Sequence, residues 1–197
     1  MANEFRFEDY PDARRFKPVT DETIAAFASQ YGFKFSADYI AFLKAHNGFC
    51  FDELKGVRPL AIETYDSIDS LRYLFGIDTG FEHNDLRVFL ANMYFWDKAF
   101  CAFAYPIGEG AGGDPIVQVF KGKAKGKVYL VDHEVIPYAD DMKHDGVDIE
   151  TMSADQALAY MSDKRGCFNE IAGSFSDFLG KLVAYDHNGR IRVDIRL

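Results

Sequence analysis

The stretch FCAFAYPIGEGAGGDPIVQVFKGKAKGKVYLV, residues 100–131, decides the fold class. It contains three short runs rich in β-branched and aromatic residues, separated by two glycine-rich turns. This pattern is typical of consecutive antiparallel hairpins. We predict strands at residues 100–107, 115–120 and 126–131 that form an antiparallel meander. In these runs, the residues that point to either face of the sheet are mostly apolar. This pattern predicts that helices cover both faces of the sheet.

Helical signals lie on both sides of this meander. Thr20 and Ser36 are predicted to cap two helices, which end at Gly32 and at Asn47-Gly48. The spacing of apolar residues also predicts helices at residues 67–75, 84–98 and 155–161 and a helix that starts at Ser174. Residues 132–150 show no such periodicity, which predicts a functional or mobile loop. Short strands are predicted at 57–62 and, as an exposed edge, at 190–197. The fold class is therefore α+β with a central, mostly antiparallel sheet.

Composition limits the organisation and the partners. The chain has 197 residues, and neither linkers nor repeats are evident in the sequence, so we predict one domain over 1–197. A net charge of −9 argues against nucleic acid and anionic membrane surfaces as partners. Three widely spaced cysteines and the lack of an apolar leader fit a cytoplasmic protein with reduced thiols.

Motifs that could carry catalysis are weak here. The glycines of residues 108–113 lead into a strand and not into a helix, so a hairpin turn is favoured over a phosphate loop. Three adjacent side chains, Asp132, His133 and Glu134, cannot converge on one metal ion from a strand. The four lysines between 121 and 127 suit a solvated hairpin loop. We expect neither a metal nor a cofactor.

One charged segment stands out. Residues 132–155 contain eight carboxylates and one lysine, so this segment carries −7 of the total net charge of −9. A concentrated negative field attracts basic protein surfaces and speeds association, although a merely soluble loop would have the same composition.

Four motifs in order resemble the SUKH superfamily: FSADYIAFLKAHNG from Phe35, YPIGEGAGGDPIVQVF from Tyr105, GKVYLVDHE from Gly126 and IAGSFSDFLGKL from Ile171. The resemblance spans about residues 20–183. Members of this superfamily include the yeast cell-wall assembly regulator and bacterial immunity proteins that neutralise partner toxins. The resemblance implies a single α+β domain with a binding role and no catalysis.

Two binding hypotheses and one enzymatic hypothesis follow. The first is an immunity protein for a basic polymorphic or contact-dependent toxin, with nucleases as one candidate class of toxin. The second is a regulatory scaffold for endogenous proteins. In either role we expect a monomer or a weak homodimer. The third is a small metal enzyme that uses Asp140, Asp141, His144 and Asp145. For the binding hypotheses, the candidate contact residues are Asp132, Glu134, Tyr138, Asp140, Asp141, Asp145, Asp148, Glu150 and Trp96.

Overall fold

The structure is a computed structural model that describes residues 14–50, 61–63, 68–92, 100–110, 112–149 and 151–182. The helices within these residues are α1 Asp21–Tyr31, α2 Ala37–Ala45, α3 Leu86–Asn92, α4 Ala139–His144, α5 Ala154–Ala159 and α6 Phe175–Gly180. The strands are β1 Phe49–Cys50, β2 Ala61–Glu63, β3 Ile68–Leu74, β4 Ala104–Gly110, β5 Pro115–Val119, β6 Val128–Val131 and β7 Phe168–Ala172. A π-helical turn, Tyr160–Lys164, follows α5.

The strands form an antiparallel sheet in the order β1-β3-β4-β5-β6-β7, and β2 pairs with the first half of β3. Strands β4, β5 and β6 are consecutive neighbours, with Tyr105 opposite Gln118 and Val117 opposite Tyr129. The predicted meander and the α+β class are confirmed, but residues 100–102, predicted as the start of the first strand, form a 3₁₀ turn, and β4 begins at Ala104.

Apolar side chains on the two faces of the sheet belong to separate clusters. Ile116 and Leu130 belong to a cluster that also contains buried residues of α1, α2 and α6. Val117 and Tyr129, one position along, belong to a second cluster with buried residues of α4 and α5. Because neighbouring positions in a strand point to opposite faces, helices cover both faces as expected.

Polar side chains begin three of the helices, as their spacing predicts. The N–H of Thr23 donates to Thr20 Oγ1 at 3.3 Å, and that of Tyr39 donates to Ser36 Oγ at 3.3 Å. The N–H of Asp177 donates to Ser174 Oγ at 2.9 Å. Each cap satisfies a backbone donor that has no partner inside its helix.

Several local predictions are wrong. Residues 68–74, predicted as helix, form β3 because this stretch pairs with β1, β2 and β4. The segment 132–150 is not wholly a loop, since it contains α4, and β7 was not predicted at all. Helix α3, predicted to start at residue 84, begins at Leu86 after Asp85, whose Oδ1 accepts the N–H of Arg87 at 2.9 Å.

Other predictions lie outside the described residues. These are most of the strand at 57–62, the end of the helix at 84–98, and the terminal strand at 190–197 with the dimerisation that its edge suggested.

Candidate partner-binding surface

The acidic segment, residues 132–155, connects β6 to α5 and is held against the second cluster. Its first residue, Asp132, donates its N–H to the carbonyl of Cys167 at 2.9 Å. Further along, Met142 and Ile149 are buried in the second cluster. These contacts fix the backbone of the segment at several points and so fix where its polar side chains begin.

Two apolar side chains of this segment face solvent. Val135 is 46% exposed and Tyr138 is 60% exposed, and they are the exposed large hydrophobic side chains among the residues that the structure describes. Tyr138 immediately precedes α4, and its N–H donates to Asp141 Oδ2 at 3.0 Å. Asp141 thus holds the start of α4, and this contact fixes the backbone that presents Tyr138.

The carboxylates of the acidic segment have different surroundings. Glu134, Asp140 and Asp148 are exposed. Asp132 is half-buried, and its Oδ1 accepts the N–H of Glu134 at 2.9 Å. We name Glu134, Val135, Tyr138, Asp140 and Asp148 the acidic surface.

Asp145 plays a different part from the one that its sequence context suggests. Its carboxylate accepts the hydroxyl of Tyr160 at 2.8 Å and forms ion pairs with Arg165 at 2.6 Å and Lys164 at 3.2 Å. The Tyr160 hydroxyl, followed by the two cations, lowers the pKa of Asp145 below its ordinary value. Asp145 therefore connects the end of α4 to the π-helical turn, and its charge is largely compensated within the chain.

One contact of this region could not be read from the sequence. Asp114, in the β4–β5 hairpin, accepts the backbone N–H of His133 at 3.0 Å and lies 2.6 Å from its ring Nδ1. Nothing in the spacing of these two residues signals the contact, because the sheet brings them together. It places the hairpin beside the start of the acidic segment.

The candidate residues are brought together only in part. Tyr138, Asp140 and Asp141 lie at the start of α4, whereas Glu134 precedes this helix by five residues and Asp145 turns toward the π-helical turn. Trp96 and Glu150 lie outside the described residues.

The described ranges contain no group of three or more His, Cys, Asp or Glu side chains placed to hold a metal ion. The four side chains that the enzymatic hypothesis needs do not share one site, since Asp145 faces Lys164 and Arg165. Cys50 and Cys167 are buried, and burial raises the pKa of the Cys167 thiol to about 11. A thiol in this state is a poor nucleophile at neutral pH.

A family model described as the SMI1 / KNR4 family (SUKH-1) matches residues 18–181. The chain belongs to this family. The match includes every helix and strand described above and the whole acidic segment. No curated protein matches this SUKH-1 chain. None of the described helices is long and apolar enough to cross a membrane.

Proposed function

We propose that this SUKH-1 protein is a non-enzymatic immunity protein that binds a cognate protein toxin through the acidic surface and neutralises it. Family membership supports a protein-binding role, and the resemblance to bacterial immunity proteins supports a toxin as the partner. The observation that carries the proposal is an exposed aromatic side chain, Tyr138, within a segment rich in carboxylates.

This combination suits a basic partner for two physical reasons. A tyrosine contributes a large rigid contact area at low entropic cost, and tyrosine is enriched among residues that dominate interface energies. Exposed carboxylates around it steer a basic partner and exclude acidic ones, an effect that weakens with salt. Glu134 and Asp140 provide this charge and, unlike Asp145, form no ion pair with a described residue. The immunity protein would block a basic active site by covering it, and this requires no catalysis.

The experiment is a pull-down with the full chain as bait, followed by affinity measurement with the captured partner at two salt concentrations. Tyr138→Ser and Asp140→Lys should each weaken binding by about tenfold or more, as truncation or reversal at an interface centre does. Glu82→Lys is the matched control for the charge change, because Glu82 is exposed and lies in a short turn before α3.

Two results would contradict the proposal. Equal affinity of Tyr138→Ser, Asp140→Lys and wild type would remove the acidic surface from the interface. A captured partner that is not toxic in cells lacking this protein, and whose growth effect co-expression does not change, would remove the immunity role.

The second candidate is a regulatory or scaffold protein that binds endogenous partners. The family description favours it, because the matched model carries the name SMI1 / KNR4, and the resemblance includes a yeast regulator. The same growth assay separates the two functions, since only an immunity protein restores the growth of cells that produce its partner.

A further inference from the structure

A recess lies between α5 with the π-helical turn on one side and the paired strands β6 and β7 on the other. It is an open groove of about 380 Å³. Its apolar lining includes Leu158 from α5, Tyr129 from β6 and Phe168 from β7. The β5–β6 hairpin loop adds Lys123 and Ala124 to the lining. This combination of apolar walls and an open mouth suits a long side chain with an aliphatic stem.

Three carboxylates surround the groove: Asp155, Asp163 and Glu170. Asp155 Oδ1 accepts the N–H of Lys123 at 2.7 Å, which fixes the carboxylate beside the loop. Glu170 Oε2 accepts from Lys127 Nζ at 2.8 Å and from the Tyr129 hydroxyl at 3.3 Å. Asp163 is exposed and makes no hydrogen bond or ion pair with a described residue. The groove therefore retains carboxylate oxygens that its own cations do not satisfy.

Ser162 lines the groove as well. The hydroxyl oxygen of Ser162 is buried and forms no hydrogen bond with any described residue. Buried hydroxyl groups are nearly always paired, so such an atom needs an explanation. Ser162 lies in the π-helical turn, in which the N–H of Arg165 donates to the carbonyl of Tyr160 at 3.1 Å. Such turns are rare and occur frequently at functional sites.

We propose that this groove receives a basic side chain, arginine or lysine, from the protein partner. The proposal rests on the proposed function, because it adds a second contact for the same partner. The aliphatic stem of the side chain packs against Leu158 and Phe168, and its cationic head pairs with Asp163 and with the unused oxygen of Asp155. The negative surroundings are consistent with the raised pKa of Tyr129, about 12, to which burial and then Glu170 contribute.

The test needs no identified partner. The probe is the blocked tripeptide acetyl-Ala-Arg-Ala-amide, titrated into the ¹⁵N-labelled full chain while amide chemical shifts are recorded. The neutral matched probe replaces arginine with citrulline, which preserves the shape and removes the charge. We expect saturable shifts at Lys123, Asp155, Ser162 and Asp163 with the arginine peptide and none with the citrulline peptide.

Variants locate the site. Asp163→Asn should weaken arginine-peptide binding by about two- to fivefold, the range for one exposed ion pair. Glu82→Gln, which neutralises an exposed carboxylate elsewhere, should leave the affinity unchanged. Tyr138→Ser should also leave it unchanged, so the groove and the acidic surface can fail independently.

Three outcomes would overturn the inference: equal responses to the arginine and citrulline peptides, shifts confined to the acidic surface, or an affinity unaffected by Asp163→Asn. Since Asp163 is exposed and unpaired within the described residues, this variant is expected to fold, and an unchanged pattern of the remaining amide signals verifies it.

Discussion

Replacement of Asn47 should destabilise the protein more than replacement of any ordinary residue at the end of a helix. Asn47 follows α2, has a φ angle of 49° and is almost completely buried. Its side-chain Nδ2 donates to the carbonyls of Lys17 and Ile77, both at 2.9 Å, and its Oδ1 accepts the N–H of Ile77 at 2.8 Å. The side chain thus joins the end of α2 to the segment after β3.

The magnitude follows from the groups that would lose their partner. Asn47→Ala leaves the buried N–H and carbonyl of Ile77 without these bonds, and each unsatisfied buried group costs about 1–3 kcal/mol. Alanine in the left-handed conformation adds about 1 kcal/mol, whereas glycine adopts it without that strain. We expect Asn47→Ala to lower the free energy of unfolding by about 3–7 kcal/mol. Asn47→Gly should be about 1 kcal/mol less destabilising than Asn47→Ala.

Urea unfolding at 25 °C, followed by far-ultraviolet circular dichroism, measures both differences. The denaturant slope should stay constant, since the surface exposed on unfolding hardly changes. A loss below about 1 kcal/mol for Asn47→Ala at constant slope would refute the reasoning from unsatisfied groups. Equal losses for the alanine and glycine variants would refute the contribution of backbone strain.

Two further predictions concern protonation. Burial raises the pKa of Asp38, but hydrogen bonds from Ser36 and from the N–H groups of Ser176 and Tyr39 outweigh it, so the pKa lies below its ordinary value. A lowered pKa stabilises the fold above the unfolded-state pKa, and this stability is lost as the pH falls through the folded-state pKa. The free energy of unfolding of Asp38→Asn should therefore fall less than that of wild type between pH 6 and pH 3 in urea titrations, and parallel curves would contradict this role. Burial raises the pKa of the Cys167 thiol to about 11. Alkylation of Cys167 by iodoacetamide at pH 8 should therefore be much slower than alkylation of a model thiol, as measured by mass spectrometry of the digested protein. Labelling as fast as that of the model thiol would disprove its protected state.

Much of the fold could be predicted because its signals are local. Thr20, Ser36 and Ser174 cap helices within a few residues of their own positions, and the turns after β4 and β5 join strands that are neighbours in the chain. Hairpins and capped helices depend on interactions between residues close in sequence, so a pattern of a few residues is sufficient to predict them.

Strands β3 and β7 could not be predicted in this way. Tyr73 of β3 pairs with Cys50 and with Glu109, and Asn169 of β7 pairs with Leu130, across long separations in sequence. Apolar residues in β3 are compatible with a helix when taken alone, and its strand conformation is decided by partners on both sides of it. The short β7 has exposed polar residues at its centre and little pattern of its own.

By itself, the sequence determined the fold class, the antiparallel centre, the family resemblance and the concentration of charge in residues 132–155. Only the tertiary structure decided which of those charges remain exposed. Asp145 is compensated by Arg165 and Lys164, whereas Asp140 faces solvent, and the sequence contains both as similar carboxylates in one segment. The reason is physical: composition sums charges along the chain, but the field at a surface depends on which charges folding brings within a few ångströms of an opposite one.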